Sequence, residues 1–120
     1  MKRVLITGAL GQLGSEIAVF LRTEYGAEEV VCTDVRDASG LEPAESGPFY
    51  RFDVRDAHRL HEIVDRHRID TIYHLAALLS ATAEAQPDSA WDLNMNGLLT
   101  VLEVARNTGC AVFTPSSIGS

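Results

Sequence analysis

Three glycines at a spacing of three, Gly8, Gly11 and Gly14, separate an apolar β-branched run from a stretch of helical period. The run Arg3-Val4-Leu5-Ile6-Thr7 reads as a strand covered on both faces. Ile17, Phe20 and Leu21 follow at helical spacing and form the apolar stripe of a helix. A strand, a glycine turn and a helix in this order dictate a βα unit. The first glycine permits a tight turn, the second lets the backbone approach a ligand, and the third lets helix and strand pack closely. The N–H groups and dipole at the helix start favour an anion such as a pyrophosphate. A plain strand-to-helix turn is the alternative reading of a lone glycine triad.

The rest of the chain repeats the alternation. Val30-Val31-Cys32-Thr33 is a second buried strand, and residues 36–48, with Gly40, Pro43, Gly47 and Pro48, read as a loop. Phe49-Tyr50-Arg51-Phe52 is a short third strand. Between Ala57 and His67, Leu60, Ile63 and Val64 make one apolar stripe with Arg59, Glu62, Asp65 and Arg66 outside it, which predicts an amphipathic helix. Thr71 to Ala76 is a fourth strand. Pro87 opens a long helix whose apolar positions are Ala90, Trp91, Leu93, Leu98, Val101, Leu102 and Ala105, and Gly109 ends it. Ala111-Val112-Phe113 is a fifth strand. The alternation predicts an α/β fold, a doubly wound parallel sheet with helices on both faces. A chain of 120 residues, 46% hydrophobic and 22% charged, makes one such domain, residues 1–120.

Charge and composition narrow the partners. Ten Lys and Arg against 17 Asp and Glu give a net charge of −7, the wrong sign for holding nucleic acid by its phosphates. No apolar run approaches the ~18 residues of a membrane span. The N-terminal run is too short for a signal peptide, so the expectation is a cytoplasmic protein that binds neither nucleic acid nor membrane. Cys32 and Cys110, each inside an apolar run, read as buried strand residues rather than a disulfide.

Two acidic positions extend the glycine motif. Asp34 ends the second strand about 20 residues after Gly14, where a carboxylate accepts from adenosine ribose hydroxyls. It would repel a 2′-phosphate. Arg36 nearby is able to meet one, so the expected preference is NAD over NADP. Asp53-Val54 follows the third strand. Asp53 suits the adenine amino group with Val54 against the ring, or else it caps the helix that starts near Asp56.

With these motifs, the sequence resembles the N-terminal part of an extended short-chain dehydrogenase/reductase. The matching pieces are Gly8/Gly11/Gly14, Asp34, Asp53-Val54, His74-Leu75-Ala76-Ala77, Asn94-Met95-Asn96-Gly97 and Pro115-Ser116-Ser117, in the family's order. Leu78-Leu79-Ser80-Ala81, the stretch from Trp91 to Gly97 and Pro115 to Ile118 are most similar to the short-chain, epimerase-like type of L-threonine 3-dehydrogenase. Sugar-nucleotide epimerases and dehydratases share the frame.

The resemblance implies a Rossmann fold with strand order 3-2-1-4-5 and NAD as cofactor. It places Gly8, Gly11, Gln12, Leu13, Gly14, Asp34, Val35, Arg36, Asp53, Val54, Leu75, Ala76, Ala77 and Asn94 beside the cofactor. His74 points to the other side by strand alternation and reads as structural. Asn94 organises the active-site lysine and water, or ties helix backbone to the fourth strand. Ser117 hydrogen-bonds the reacting oxygen. Ser80 meets the amino-acid substrate, or caps a helix. The implied reaction oxidises the threonine β-hydroxyl to 2-amino-3-oxobutanoate. A tyrosine phenolate takes the hydroxyl proton and hydride passes to the nicotinamide. The implied parent is a homodimer.

The sequence departs from the family at the acid/base. The family's Tyr-x-x-x-Lys pair lies beyond Ser117, the only lysine here is Lys2, and Tyr25, Tyr50 and Tyr73 have none four positions on. The expectation is therefore a fragment truncated after the fifth strand, without the catalytic pair or the substrate domain, and inactive alone. A non-catalytic dinucleotide-binding module is the alternative from another class. His58, His61 and Asp65 on one helix read as a solvated face rather than a metal site. Pro115-Ser116-Ser117-Ile118-Gly119 lacks the spacing of a hydrolase elbow. A fifth strand left as an edge predicts self-association or partial insolubility, and a monodisperse monomer in sedimentation would count against that.

Overall fold

The computed structural model describes residues 3–35, 47–75 and 87–114, with side chains at all of these except Gln12 and residues 87–95. Strand β1 (Val4–Thr7) leads through the glycine turn to helix α1 (Gln12–Tyr25). A 3-10 turn (Ala27–Glu29), which the sequence reading did not anticipate, precedes β2 (Val30–Asp34). Then come β3 (Phe49–Arg51), α2 (Ala57–His67), β4 (Thr71–His74), α3 (Pro87–Thr108) and β5 (Ala111–Phe113). The strands form one parallel sheet in the order β3-β2-β1-β4-β5, as expected. Of the expected 36–48 loop, residues 36–46 lie outside the described residues.

Strand alternation divides the apolar side chains between two cores. Leu5, Val31 and Ile72 face α2 and α3, where Leu60, Ile63, Val64, Val101, Val104 and Ala105 close over them. Val4, Ile6, Val30 and Cys32 face α1 and meet Ala18 and Leu21. Burial holds the Cys32 thiol up at about 11, against the opposing pull of Arg22, so Cys32 behaves as a core residue.

Local chemistry sets the helix ends. Asp56 caps α2 by accepting from the Arg59 N–H, and Arg68 ends that helix at φ 53. Gly26 at φ 104 closes α1 with its N–H on the Arg22 carbonyl, and Gly109 at φ 81 closes α3 on Ala105. Arg22 is buried and its guanidinium donates to the carbonyls of Val30 and Pro48, fastening α1 to the starts of β2 and β3.

Four details differ from the sequence reading. Phe20 is 62% exposed, because it lies on the flank of α1 beside the stripe that meets the sheet. Leu102 is exposed on α3, one position round from the buried Val101. Strand β4 ends at His74, since Leu75 is already outside the regular ladder. Cys110 is half-buried before β5, and its thiol donates to the Ile69 carbonyl. No helix among the described residues is long and apolar enough to cross a membrane.

Candidate functional site

The strand order reverses between β1 and β4. Beyond their carboxyl ends the chain turns to α1 on one face of the sheet and to α3 on the other, which is where open parallel sheets bind ligands. The glycine loop occupies this edge. Gly8 has φ 68, a conformation that disfavours any side chain. Gly11 donates to the Gly8 carbonyl at 3.1 Å and accepts from Ser15 at 2.9 Å, which starts the helix. A Cβ on Gly14 would lie 2.2 Å from the Gly8 carbonyl oxygen and 3.0 Å from the Ala9 Cα. The helix is therefore seated directly on backbone. Among the described residues no side chain caps the helix at Gly11, which leaves its first-turn amides suited to an anion.

Asp34 completes the loop. It is 5% exposed at the end of β2, and its Oδ2 accepts from the Leu10 N–H at 3.0 Å. The Ala9 N–H donates to the Thr33 carbonyl at 3.0 Å, and Thr33 Oγ1 donates to the Ile6 carbonyl. Two successive amides of the glycine loop are thus tied to the last residues of β2. Asp34 is both at the position expected of a ribose acceptor and a clamp on the loop. The second role has no signal in the sequence, because it depends on Leu10 reaching across from another strand end.

Asp53 lies at the same edge. The Phe52 N–H donates to the Asp34 carbonyl at 3.0 Å and so extends β3 alongside β2. The Asp53 carboxylate accepts from the Arg55 N–H and is gripped by its guanidinium, with Nη2 2.7 Å from Oδ2. This grip holds the Asp53 carboxyl below the usual carboxylate range. The helix cap is Asp56, not Asp53, because Asp56 stands one residue ahead of α2. Val54 is buried in the α2–α3 core beneath Gly97 rather than open at the edge.

Leu75 belongs to the α1-side core, while His74 faces α3, the alternation expected of a strand end. Leu13 and Val35 are exposed near the loop and β2. Arg36, Ala76, Ala77, Ser80 and Ser117, and the side chains of Gln12 and Asn94, lie outside the described residues. The structure thus brings together the glycine loop, Asp34, Asp53 and Leu75 along one carboxyl edge. A turn with positive φ at Gly8, a helix seated at Gly14 where no Cβ fits, a helix start with no side-chain cap among the described residues and an acidic residue at the end of β2 suit the pyrophosphate and ribose of a dinucleotide.

Comparison with known proteins agrees with that geometry. Residues 4–119 match the profile of the NAD dependent epimerase/dehydratase family. An uncharacterized epimerase/dehydratase of Staphylococcus epidermidis is 52% identical over the whole chain, which spans 38% of that relative's length. The structure of L-threonine dehydrogenase from Clostridium difficile superposes with a TM-score of 0.92 at 52% identity, covering 98% of this chain and 37% of that one. UDP-glucose-4-epimerase from Stenotrophomonas maltophila, solved with bound NAD, superposes with a TM-score of 0.84 at 29% identity, covering 98% and 38%.

Proposed function

This chain belongs to the NAD-dependent epimerase/dehydratase family, and from that premise we propose that it is the NAD-holding part of an L-threonine 3-dehydrogenase. The observation that carries the cofactor reading is the glycine loop seated on backbone and clamped by the buried Asp34. What supports the substrate is the higher identity to a threonine dehydrogenase, 52%, than to a UDP-glucose epimerase, 29%.

In this reading the amides of the loop and of the first turn of α1 hold the pyrophosphate. Asp34 takes the ribose hydroxyls and disfavours a 2′-phosphate, and Asp53 takes the adenine amino group. Leu75, Ala76 and Ala77 line the ribose and phosphates. NAD, when bound, supplies the hydride acceptor for oxidation of the threonine β-hydroxyl. Ser117 holds the reacting oxygen, Asn94 orders the neighbouring groups, and Ser80 meets the polar end of the amino acid. The chain spans little more than a third of its relatives' length, so turnover and dimerisation are proposed for a protein of the relatives' full length.

A fluorescence titration with NADH and NADPH tests the cofactor. Saturable NADH binding, at least about tenfold tighter than NADPH, is expected from the Asp34 carboxylate. Equal affinities would remove Asp34 from the ribose. A chain extended to its relatives' length should reduce NAD with threonine. Conversion of a UDP-sugar without threonine oxidation would move the substrate to the epimerase reading.

A further inference from the structure

The guanidinium of Arg55 folds back on Asp53 across the turn into α2, and no role above uses it. Asp53 Oδ1 accepts from the Arg55 backbone N–H at 2.9 Å and from Nε at 3.1 Å. Oδ2 accepts from Nη2 at 2.7 Å, with Nε shared toward it at 3.2 Å. The turn itself is closed without the guanidinium. The Asp56 N–H donates to the Asp53 carbonyl at 2.9 Å, and the Asp56 side chain caps the helix. Local structure therefore does not require the grip.

What the grip changes is the carboxylate. An ionised carboxylate is an acceptor only, with about four lone-pair directions. Three N–H groups of Arg55 fill most of them: the backbone amide and Nε on Oδ1, and Nη2 on Oδ2. About one direction, on Oδ2, stays open. The same hydrogen bonds keep the group ionised. The Asp53 side chain is 36% exposed, so a ligand at this edge reaches it. A fixed acceptor with one open direction suits a single N–H donor and repels a carbonyl oxygen in the same place.

We propose that Arg55 sets the base specificity of the site, resting on the dinucleotide reading above, by holding Asp53 as a fixed acceptor for an amino group. Arg55 is a positioning residue, since it acts through Asp53. A carboxylate free to rotate has to be ordered when the base arrives. One already held by a guanidinium meets the amino group without that cost.

Reduced nicotinamide hypoxanthine dinucleotide is the probe, because it carries a carbonyl oxygen where NADH has the adenine amino group. The readout is the ratio of its Kd to that of NADH, by fluorescence titration. The chains are wild type, Arg55→Ala, Asp53→Asn and Arg66→Gln. Arg55→Ala deletes the guanidinium and keeps the backbone N–H that Asp53 accepts. Arg66→Gln removes the same charge from the exposed last turn of α2. Wild type should prefer NADH by about tenfold or more. Arg55→Ala should cut that preference by about threefold to fivefold, the scale of a partly exposed ion pair. Asp53→Asn, whose amide donates to a carbonyl, should bring the ratio to about one or below. Arg66→Gln should leave it in place.

An unchanged preference in Arg55→Ala overturns the proposal, and so does an equal loss in Arg66→Gln. Equal binding of both dinucleotides by wild type removes Asp53 from the base and overturns it as well. Absence of NADH binding by wild type overturns the dinucleotide reading, and the role of Arg55 with it. A carbon-13 NMR titration of the Asp53 carboxyl needs no ligand and tests the grip separately. In Arg55→Ala its pKa should rise toward the ordinary carboxylate range, and a carboxyl that does not move overturns the grip itself.

Discussion

Two helices approach the strand ends through a glycine, and they rest on different materials. Gly14 seats α1 against the Gly8 carbonyl and Ala9 Cα, which are backbone. Gly97 seats α3 against side chains, since a Cβ there would lie 3.0 Å from Val54 Cγ1 and 3.8 Å from the His74 ring. A backbone seat has no rotamer with which to give way, so the glycine spacing itself becomes the requirement. A side-chain seat is negotiable, because its partners can turn or be replaced. The α1 seat is accordingly visible as a motif. The α3 seat shows only once the structure brings residues 54, 74 and 97 together.

The largest effect that would test this contrast is Gly14→Ala. The methyl would meet backbone at 2.2 Å, so α1 must lift off the turn. The expected loss is at or above the top of the ~1–3 kcal/mol range of overpacking, together with NADH binding. Thermal unfolding and the NADH titration check it, and retained affinity would show that the loop does not depend on the seat.

The next effect reads the α3 seat through acid. Burial of His74 holds its pKa at about 4, below the ordinary 6.5, so the folded state keeps the ring neutral. Between these values the unfolded chain binds more protons. Stability should therefore fall as pH drops from about 6.5 to about 4, by up to about 3 kcal/mol from this group. His67, lowered by burial and by Arg66 and Arg3, adds in the same direction. Urea unfolding at a series of pH values should show a shallower slope in His74→Asn. An unchanged slope would assign the acid sensitivity elsewhere.

A smaller effect is expected from Gly97→Ala. Its methyl would press on the Val54 methyl, which can shift, so a loss of about 1 kcal/mol should register as a few degrees in melting temperature. A loss as large as that of Gly14→Ala would erase the distinction between the seats. The smallest effect belongs to Phe20→Gln on the exposed flank of α1, within about 0.5 kcal/mol. A clear drop in stability there would mean that this flank is covered in solution.

Much of the fold is legible in the order of apolar runs. Leu60, Ile63 and Val64 are buried as their spacing requires, and the five strands lie in the expected order. Phe20 and Leu102 were misplaced because helical spacing shows that a stripe exists but not how wide a face the sheet covers. In the candidate site, Gly8, Gly14 and Asp34 were legible because each requirement is local: a positive φ, a missing Cβ, an acidic strand end. Asp53 was legible as a position but not in its partner Arg55, and the cap fell to Asp56.

The sequence by itself determined the alternation of strands and helices, the glycine turn and the acidic end of β2, since all of these follow from local backbone preference and apolar period. Only the tertiary structure decided that Asp34 clamps Leu10, that Thr7 engages His74, and that Gly97 lies over Val54. Those contacts join residues 24, 67 and 43 positions apart, from Leu10 to Asp34, Thr7 to His74 and Val54 to Gly97. No local preference encodes them. They exist because a parallel sheet brings the carboxyl ends of its strands to one edge.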